Sequence, residues 1–126
     1  MTKISKFTDL DVWQESHQLV IEIYKITQNF PKSEIYGLVS QLRRAATSIT
    51  ANIAEGFSRY HYKERIKFYF DARGSLSEVQ SELLDAKAVN LLTDPAKFDI
   101  IWAQTEKIHL ILNGLIRKTA TLFKNS

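Results

Sequence analysis

The placement of proline constrains the fold of this chain more than any other feature. The 126 residues contain only two prolines, Pro31 and Pro95, and both lie between long segments in which apolar residues recur every three or four positions. Proline disrupts a helix interior because it fixes φ and lacks a backbone donor, but helix ends tolerate it. The three-to-four periodicity is typical of amphipathic α-helices, and no segment alternates as a strand does. The sequence therefore predicts an all-α protein.

Four helices are predicted, at about residues 9–29, 34–57, 62–91 and 95–123. The short connections between them favour an antiparallel up-down four-helix bundle. At this length one domain is expected. We assign it residues 1–126, of which residues 1–7 are expected to form a short, poorly ordered N-terminal arm.

The helix starts are predicted from residues that cap helices. Thr8 is expected to cap the first helix, beside a hydrophobic staple of Phe7 and Val12. Ser33 is expected to cap the second helix, and Asp94 followed by Pro95 opens the fourth. Gly74 interrupts the third helix, and close backbone packing is the predicted reason.

The same periodicity predicts which residues face the core. The expected stripes are Trp13, His17, Val20, Tyr24 and Thr27 in the first helix, Leu38, Leu42, Ala45, Ile49 and Ile53 in the second, Tyr69, Ala72, Leu76, Val79, Leu83 and Ala86 in the third, and Phe98, Ile101, Thr105, Ile108, Leu112, Leu115 and Leu122 in the fourth. His17 is accordingly interpreted as a partly buried histidine rather than a metal ligand.

Several classes of function find no support in the sequence. The chain has no cysteine, which excludes thiol nucleophiles and thiolate metal sites. It has no apolar segment long enough for a membrane span and no apolar core of a signal peptide near the N-terminus, so a cytoplasmic location and no membrane partner are expected.

The sequence also lacks the residue patterns of common enzyme classes. Glu106 and His109 form the only Glu-x-x-His pair, whereas a di-iron bundle needs two. Glu78 and Glu82 are interpreted as surface acids. No nucleotide-binding fingerprint is present. We therefore predict no enzyme activity, cofactor, metal or small-molecule substrate.

The second helix has an outward face with few charges. Between Ile35 and Ala54 its only charged residues are Arg43 and Arg44, whereas a solvated face normally carries more. This pattern favours a subunit interface. The alternative is a solvent-exposed face that has few charges and contacts no other subunit. A polar stripe beside it is interpreted as a hydrogen-bond seam that fixes helix register within or between subunits. The predicted interface or seam comprises Ser40, Gln41, Arg44, Thr47, Ser48, Ala51, Asn52 and Glu55.

Positive charge concentrates in the middle of the chain. Residues 36–75 contain seven Lys or Arg against three Asp or Glu. Alternating helix directions would bring this excess to one end of the bundle, here called the basic end, with Lys3, Lys6, Arg59, Lys63, Arg65, Lys67, Arg117, Lys118 and Lys124. The opposite end would hold Glu34, Glu82, Asp85, Asp94 and Asp99.

The basic end also contains aromatic residues between its cations. Arginine and lysine can neutralise phosphates, and aromatic rings can stack on unpaired bases. The predicted nucleic-acid-binding residues are Arg59, Tyr60, His61, Tyr62, Lys63, Arg65, Lys67, Arg117 and Lys118. An alternative is that the cations complement helix dipoles and the tyrosines cover the bundle end.

Four segments carry a family resemblance: FTDLDVWQESHQL, IYKITQNFPKSEIYGL, QLRRAATSITANIAEGFSR and DARGSLSEVQSEL. The chain resembles the 23S ribosomal RNA intervening-sequence proteins, whose genes often lie in spacers removed from bacterial large-subunit ribosomal RNA. The resemblance implies a four-helix bundle that assembles as a homopentamer, and it implies no established catalytic activity. A more distant resemblance to accessory proteins of diversity-generating retroelements implies a basic pentamer that engages nucleic acid and a reverse transcriptase. The chain departs from the family pattern at His61, where a serine or threonine cap is usual, and at Arg65, where an apolar residue is usual.

The sequence as a whole predicts a non-enzymatic, ring-forming bundle whose basic end binds RNA or other nucleic acid. The alternative is a protein-interaction scaffold that docks a polymerase or another acidic partner and has no direct role with nucleic acid.

Overall fold

A computed structural model describes residues 3–126. It contains four α-helices: α1 (Asp11–Thr27), α2 (Ser40–Ser58), α3 (Tyr62–Ala88) and α4 (Pro95–Lys124). Short 3-10 turns at Phe7–Asp9 and Lys32–Glu34 and a π-helical turn at Ile35–Val39 precede α1 and α2. No β-strand occurs in residues 3–126, and the predicted all-α fold is confirmed.

The helices run up and down in one bundle. Each helix packs on the next one, and α4 closes the bundle against α1. Hydrogen bonds between α3 and α4 show the antiparallel register: Arg73 bonds to Asn113 (2.9 Å) and Gln80 bonds to Thr105 (3.1 Å). The residue number falls along α4 as it rises along α3, so the predicted antiparallel arrangement is confirmed.

A single apolar core runs along the bundle axis. The predicted stripe of α3 is buried throughout, as is that of α2 except for Leu38, which is half-buried. Complete burial of one leucine or isoleucine stabilises the fold by about 1.5–3 kcal/mol, and the core contains many such side chains. Those that are fully buried include Leu19, Ile23, Leu42, Ile49, Ile53, Leu76, Leu83, Ile108 and Leu112.

The predicted core stripe of α1 is wrong by one position. The buried residues are Val12, Ser16, Leu19, Ile23 and Thr27, so Thr27 alone belongs to both sets. Two neighbouring stripes of α1 are apolar, and a shift of one residue rotates the helix by about 100°. The stripe that faces the core has smaller side chains than the stripe with Trp13 and Tyr24.

The displaced stripe of α1 lies at the surface. Trp13 and Val20 are half-buried, whereas His17 and Tyr24 are exposed. The imidazole of His17 stacks on the Trp13 indole at 4.7 Å between ring centroids. The interpretation of His17 as a partly buried histidine is therefore wrong.

The core stripe of α4 is right as far as Leu112. Beyond it the buried residues are Ile116 and Thr119, whereas Leu115 is half-buried and Leu122 is exposed. The Thr119 hydroxyl remains compatible with burial because it donates to the carbonyl oxygen of Leu115 (2.7 Å).

Two of the three predicted helix caps are wrong. Thr8 lies inside the 3-10 turn, and Leu10 occupies the N-cap position of α1 without a side-chain cap bond. The Asp9 carboxylate instead accepts from the backbone N–H groups of Ser5 (3.0 Å) and Lys6 (3.2 Å). These bonds, the Ser5 bond first, lower the pKa of Asp9. Phe7 contacts Trp13, with 5.3 Å between ring centroids, in place of the predicted staple with Val12.

The start of α2 lies later than predicted. Residues 32–39 form 3-10 and π-helical turns, and the backbone of Gly37 is not helical (φ −107°, ψ −120°). Ser33 therefore does not cap α2, which starts at Ser40 without a side-chain cap. The third prediction is confirmed: the Asp94 carboxylate accepts from the N–H groups of Ala96 (3.0 Å) and Lys97 (3.4 Å).

The structure also changes the interpretation of α3. A Cβ atom built on Gly74 would meet no atom within 4 Å, so the predicted close packing at this glycine is wrong. The helix ends at Ala88 rather than near residue 91. Asn90 follows in the left-handed region (φ 62°), a conformation that asparagine tolerates at helix ends.

Candidate nucleic-acid interface

The α2–α3 connection and the C-terminal turn of α4 meet at one end of the bundle. They surround an open depression of about 760 Å³, here called the end depression. Its lining residues are Tyr60, His61, Tyr62, Lys63, Glu64, Arg65, Phe123 and Ser126. Five of the nine predicted nucleic-acid-binding residues therefore share one surface.

The short α2–α3 connection points Tyr60 into solvent. Arg59 and His61 both have extended backbones, with ψ of 140° and 133°. Tyr60 lies between them and therefore belongs to neither helix. The Tyr60 ring is 88% exposed and contacts His61 edge to face at 5.1 Å. An aromatic ring presented in this way offers a face on which a base can stack.

Arg65 is largely engaged inside the protein. Its Nε donates to the carbonyl oxygen of Arg59 at the end of α2 (2.6 Å). Its guanidinium group also lies 5.4 Å from the Phe57 ring and 5.7 Å from the Tyr62 ring. A cation at the carboxyl end of a helix satisfies a free carbonyl and complements the helix dipole. Arg65 therefore stabilises the α2–α3 connection.

Arg59 and Lys67 lie beside the end depression. The Arg59 guanidinium pairs with the Glu55 carboxylate (3.0 Å) and lies 4.9 Å from the Phe68 ring. The Lys67 ammonium lies 5.6 Å from the same ring. These contacts leave Lys63 as the exposed cation of the end depression, next to the acidic side chain of Glu64.

Arg117 and Lys118 are not part of the end depression. Lys118 is exposed. Arg117 lines a second hollow of about 400 Å³ on the side of the bundle between α3 and α4, here called the flank groove. The other residues of the flank groove are Gln80, Glu106, His109, Leu110 and Asn113.

Phe123 and Ser126 were missed by the sequence analysis. Phe123 is nearly half exposed, and it lies outside the core stripe of α4. An aromatic residue off the stripe in the last turn of a helix was the available signal. Ser126 carried no signal, because its place in the lining depends on where the C-terminus passes the α2–α3 connection.

The predicted polar seam lies partly within the bundle. The Ser75 hydroxyl of α3 donates to the Ser48 hydroxyl of α2 (2.9 Å). Asn52 donates to the Ser48 carbonyl oxygen (2.9 Å) and hydroxyl (3.1 Å), so it stays within α2. Thr47 also bonds within its own helix. The remaining members of the predicted set are exposed: Ser40, Gln41, Arg44, Ala51 and Glu55.

Glu82 differs from the surface acid that the sequence analysis predicted. It is half-buried, and its Oε2 atom is buried without a hydrogen-bond partner. Desolvation, followed by the repulsion of Glu78, raises the pKa of Glu82 to about 7. Arg44 opposes this rise, and Asp85 makes a smaller contribution to it. The pairing of two acids one turn apart was visible in the sequence, but the burial of one of them was not.

The Glu106 and His109 pair lines the flank groove, where no third metal-binding side chain joins it. Across residues 3–126, no group of three or more His, Asp or Glu side chains is placed to hold a metal ion. None of the helices in the same range has the length and apolar character needed to cross a membrane.

The sequence profile of a protein family described as 23S rRNA-intervening sequence protein matches residues 8–114. The chain belongs to this family. The chain also shares its fold with a crystal structure of a protein of unknown function from the S23 ribosomal protein family of Bacteroides thetaiotaomicron. The two are 22% identical with a TM-score of 0.74, and the match covers 83% of this chain and 97% of the other. None of the curated proteins has significant sequence similarity to the chain.

Proposed function

We propose that this protein is a non-enzymatic protein that binds RNA or other nucleic acid at its basic end. The observation that carries the proposal is the exposed Tyr60 ring in the end depression. A large aromatic side chain that is 88% exposed leaves most of its surface in water, and a base can stack on it. Stacking on an aromatic side chain contributes about 1–3 kcal/mol per base.

The charges around Tyr60 support the same function. Lys63 is exposed in the end depression, and Arg65 is also one of its lining residues. Contacts between such cations and phosphates release counterions, which makes binding weaken as salt increases. The depression lacks a buried acid-base pair or a metal cluster among the described residues, so its composition fits a binding surface better than a reaction centre.

Assembly into a homo-oligomer is part of the proposal. The outward face of α2 presents exposed Ser40 and Ala51 and half-buried Thr47 and Ala54, small side chains against which another helix can pack closely. Exposed Arg44 and Glu55 lie beside them. A ring of subunits would repeat the end depression and strengthen binding to a long polyanion through effective concentration.

The test is a binding titration with fluorescently labelled structured RNA, single-stranded DNA and duplex DNA at low and moderate salt. Tyr60→Ala is expected to weaken binding about 10-fold, within the range that loss of one stacked base allows. Tyr36→Ala is the matched control, because Tyr36 is 96% exposed but belongs to the turn before α2, at the other end of the bundle. Equal affinities of the two variants would contradict the proposal.

The salt series gives a second criterion. Binding should weaken at the higher salt concentration, and absence of salt-sensitive binding to all three nucleic acids would overturn the proposed function. A pull-down with and without nuclease then separates it from the scaffold alternative, in which a protein partner stays bound after nuclease treatment.

A further inference from the structure

The flank groove lies on the same helix that completes the end depression. Phe123 lines the end depression and Arg117 lines the flank groove. The two residues are six positions apart on α4, which corresponds to about 9 Å along the helix axis. His109 lies eight positions further, about 12 Å more. Phe123 and Arg117 also lie about 120° apart around α4, so a ligand that reaches both hollows has to cross from the end of the bundle onto its side.

An arginine beside the flank groove is held in a defined orientation by Asn113, a residue of its lining. Arg73 of α3 donates from Nη1 to the Asn113 side-chain oxygen (2.9 Å), and its guanidinium group lies 4.8 Å from the Phe70 ring. This bond uses one edge of the fork and leaves further N–H donors of Arg73 available. It also turns the Asn113 amide so that its NH₂ group remains a donor. A guanidinium fixed in this way loses little side-chain entropy when it binds a phosphate.

The charges in and beside the flank groove are otherwise unpaired. Within residues 3–126, neither Arg73 nor Arg117 takes part in an ion pair. Leu110, which is 74% exposed, adds an apolar surface beside these donors. Glu106 is the acidic member of the set, and its carboxylate disfavours a phosphate at that position. Arg117 and Arg73 therefore lie at the part of the flank groove nearer the basic end, and Glu106 lies at the part farther from it.

We propose that a single nucleic-acid strand bound at the end depression turns onto the side of the bundle and continues along the flank groove. Arg117 and Arg73 contact its phosphates, and the exposed surface of Leu110 receives a base. This inference rests on the proposed function and specifies its ligand as a flexible single strand. Duplex DNA is stiff over tens of nanometres and does not turn from the end of a small bundle onto its side.

The experiment compares single-stranded oligonucleotides of about four and about ten nucleotides, a range that spans typical binding sites on small domains. The protein variant is Arg73→Gln/Arg117→Gln. The matched control is Lys25→Gln/Lys97→Gln, which removes the same charge from exposed residues on the α1–α4 side. The Arg73/Arg117 variant is expected to bind the ten-nucleotide strand about 10-fold more weakly and the four-nucleotide strand within about twofold of the parent, because the short strand occupies the end depression alone.

The salt dependence provides an independent measurement. Loss of two phosphate contacts with a single strand should reduce the slope of log affinity against log salt by about 1.4, whereas the lysine control should keep the slope of the parent protein. Arg117→Gln alone, at an exposed position that leaves the Arg73 contact with Asn113 intact, should give about half of this reduction. Running the series with RNA and with DNA identifies which backbone occupies the groove.

Failure of this inference is distinguishable from failure of the proposed function. If Tyr60→Ala weakens binding but the arginine variants bind the ten-nucleotide strand as the parent protein does, the strand does not follow the flank groove. If the parent protein binds neither oligonucleotide, both proposals are wrong.

Discussion

At the scale of single residues, Glu82 links the stability of the fold to pH. Its pKa is raised from the ordinary value of 4.5 to about 7, mainly by desolvation. The folded state therefore binds more protons than the unfolded state between these two values, so stability falls as pH rises from about 4.5 to about 7 and then levels off. Glu82→Gln removes the charge, and we expect it to stabilise the protein by about 1 kcal/mol at about pH 8 after allowance for solvent screening.

The measurement is urea unfolding of both proteins at about pH 5 and about pH 8. Near pH 5 the folded parent protein already holds Glu82 mostly neutral, so the difference from Glu82→Gln should shrink. Glu106→Gln is the control, because Glu106 is exposed and is not among the groups that shift the pKa of Glu82, so its loss should have a smaller effect at both values. A stabilisation by Glu82→Gln that is equal at the two pH values would show that the charge of Glu82 is not responsible.

At the scale of helices, two glycines inside helices are expected to respond oppositely to alanine. Gly74 faces open space, and replacing a helix glycine by alanine in that setting stabilises by up to about 1 kcal/mol. At Gly56, a Cβ atom would lie 2.8 Å from Cε1 of Tyr69 and 3.0 Å from Cβ of Phe68. We therefore expect Gly74→Ala to raise the free energy of unfolding, and Gly56→Ala to lower it by about 1–3 kcal/mol through overpacking. Urea unfolding measures both, and stabilisation by both alanines would refute the steric argument at Gly56.

The helices also show how far sequence reasoning extends. The core stripes of α2 and α3 were predictable because each helix has one continuous apolar face. The stripe of α1 was not, because Val12 and Trp13 begin two competing apolar faces and only packing against the other helices decides between them. The start of α2 was missed because the turns around Gly37 arise from backbone geometry that single-residue cap rules do not describe.

Some residues of the candidate site were also predictable from the sequence, and others were not. Residues 60–63 are neighbours in sequence and meet in the end depression, so a local pattern was sufficient to find them. The internal roles of Arg59 and Arg65 depend on contacts with Phe68 and Phe57, and no spacing rule indicates them. Separating Arg117 from the end depression required the actual rotation of α4, which a list of charges near one end does not contain.

At the scale of the whole molecule, the up-down topology determines where the copies of the end depression lie in an oligomer. The α2–α3 connection and the carboxyl end of α4 lie at the same end in every copy. In a closed ring with cyclic symmetry whose bundles stand along the ring axis, all copies of the end depression therefore face the same side. A long strand can then contact several of them at once. Under the proposed assembly, the affinity for a long strand depends on the oligomer, whereas the affinity of one site for a short strand does not.

This linkage predicts the behaviour of a variant that disrupts the outward face of α2. Ala51 is exposed there, and Ala51→Glu would place a charge in the middle of the proposed subunit interface, where its desolvation is costly. We expect the variant to be monomeric by light scattering, to keep its helical content, and to lose at least about 10-fold in affinity for a long single strand. Binding of a four-nucleotide strand should change less than twofold.

Ala103→Glu is the control, because it adds the same charge to an exposed position of α4 and should leave assembly and binding intact. A parent protein that is already monomeric at micromolar concentration would contradict the proposed ring, and an oligomeric Ala51→Glu would place the interface elsewhere on the bundle.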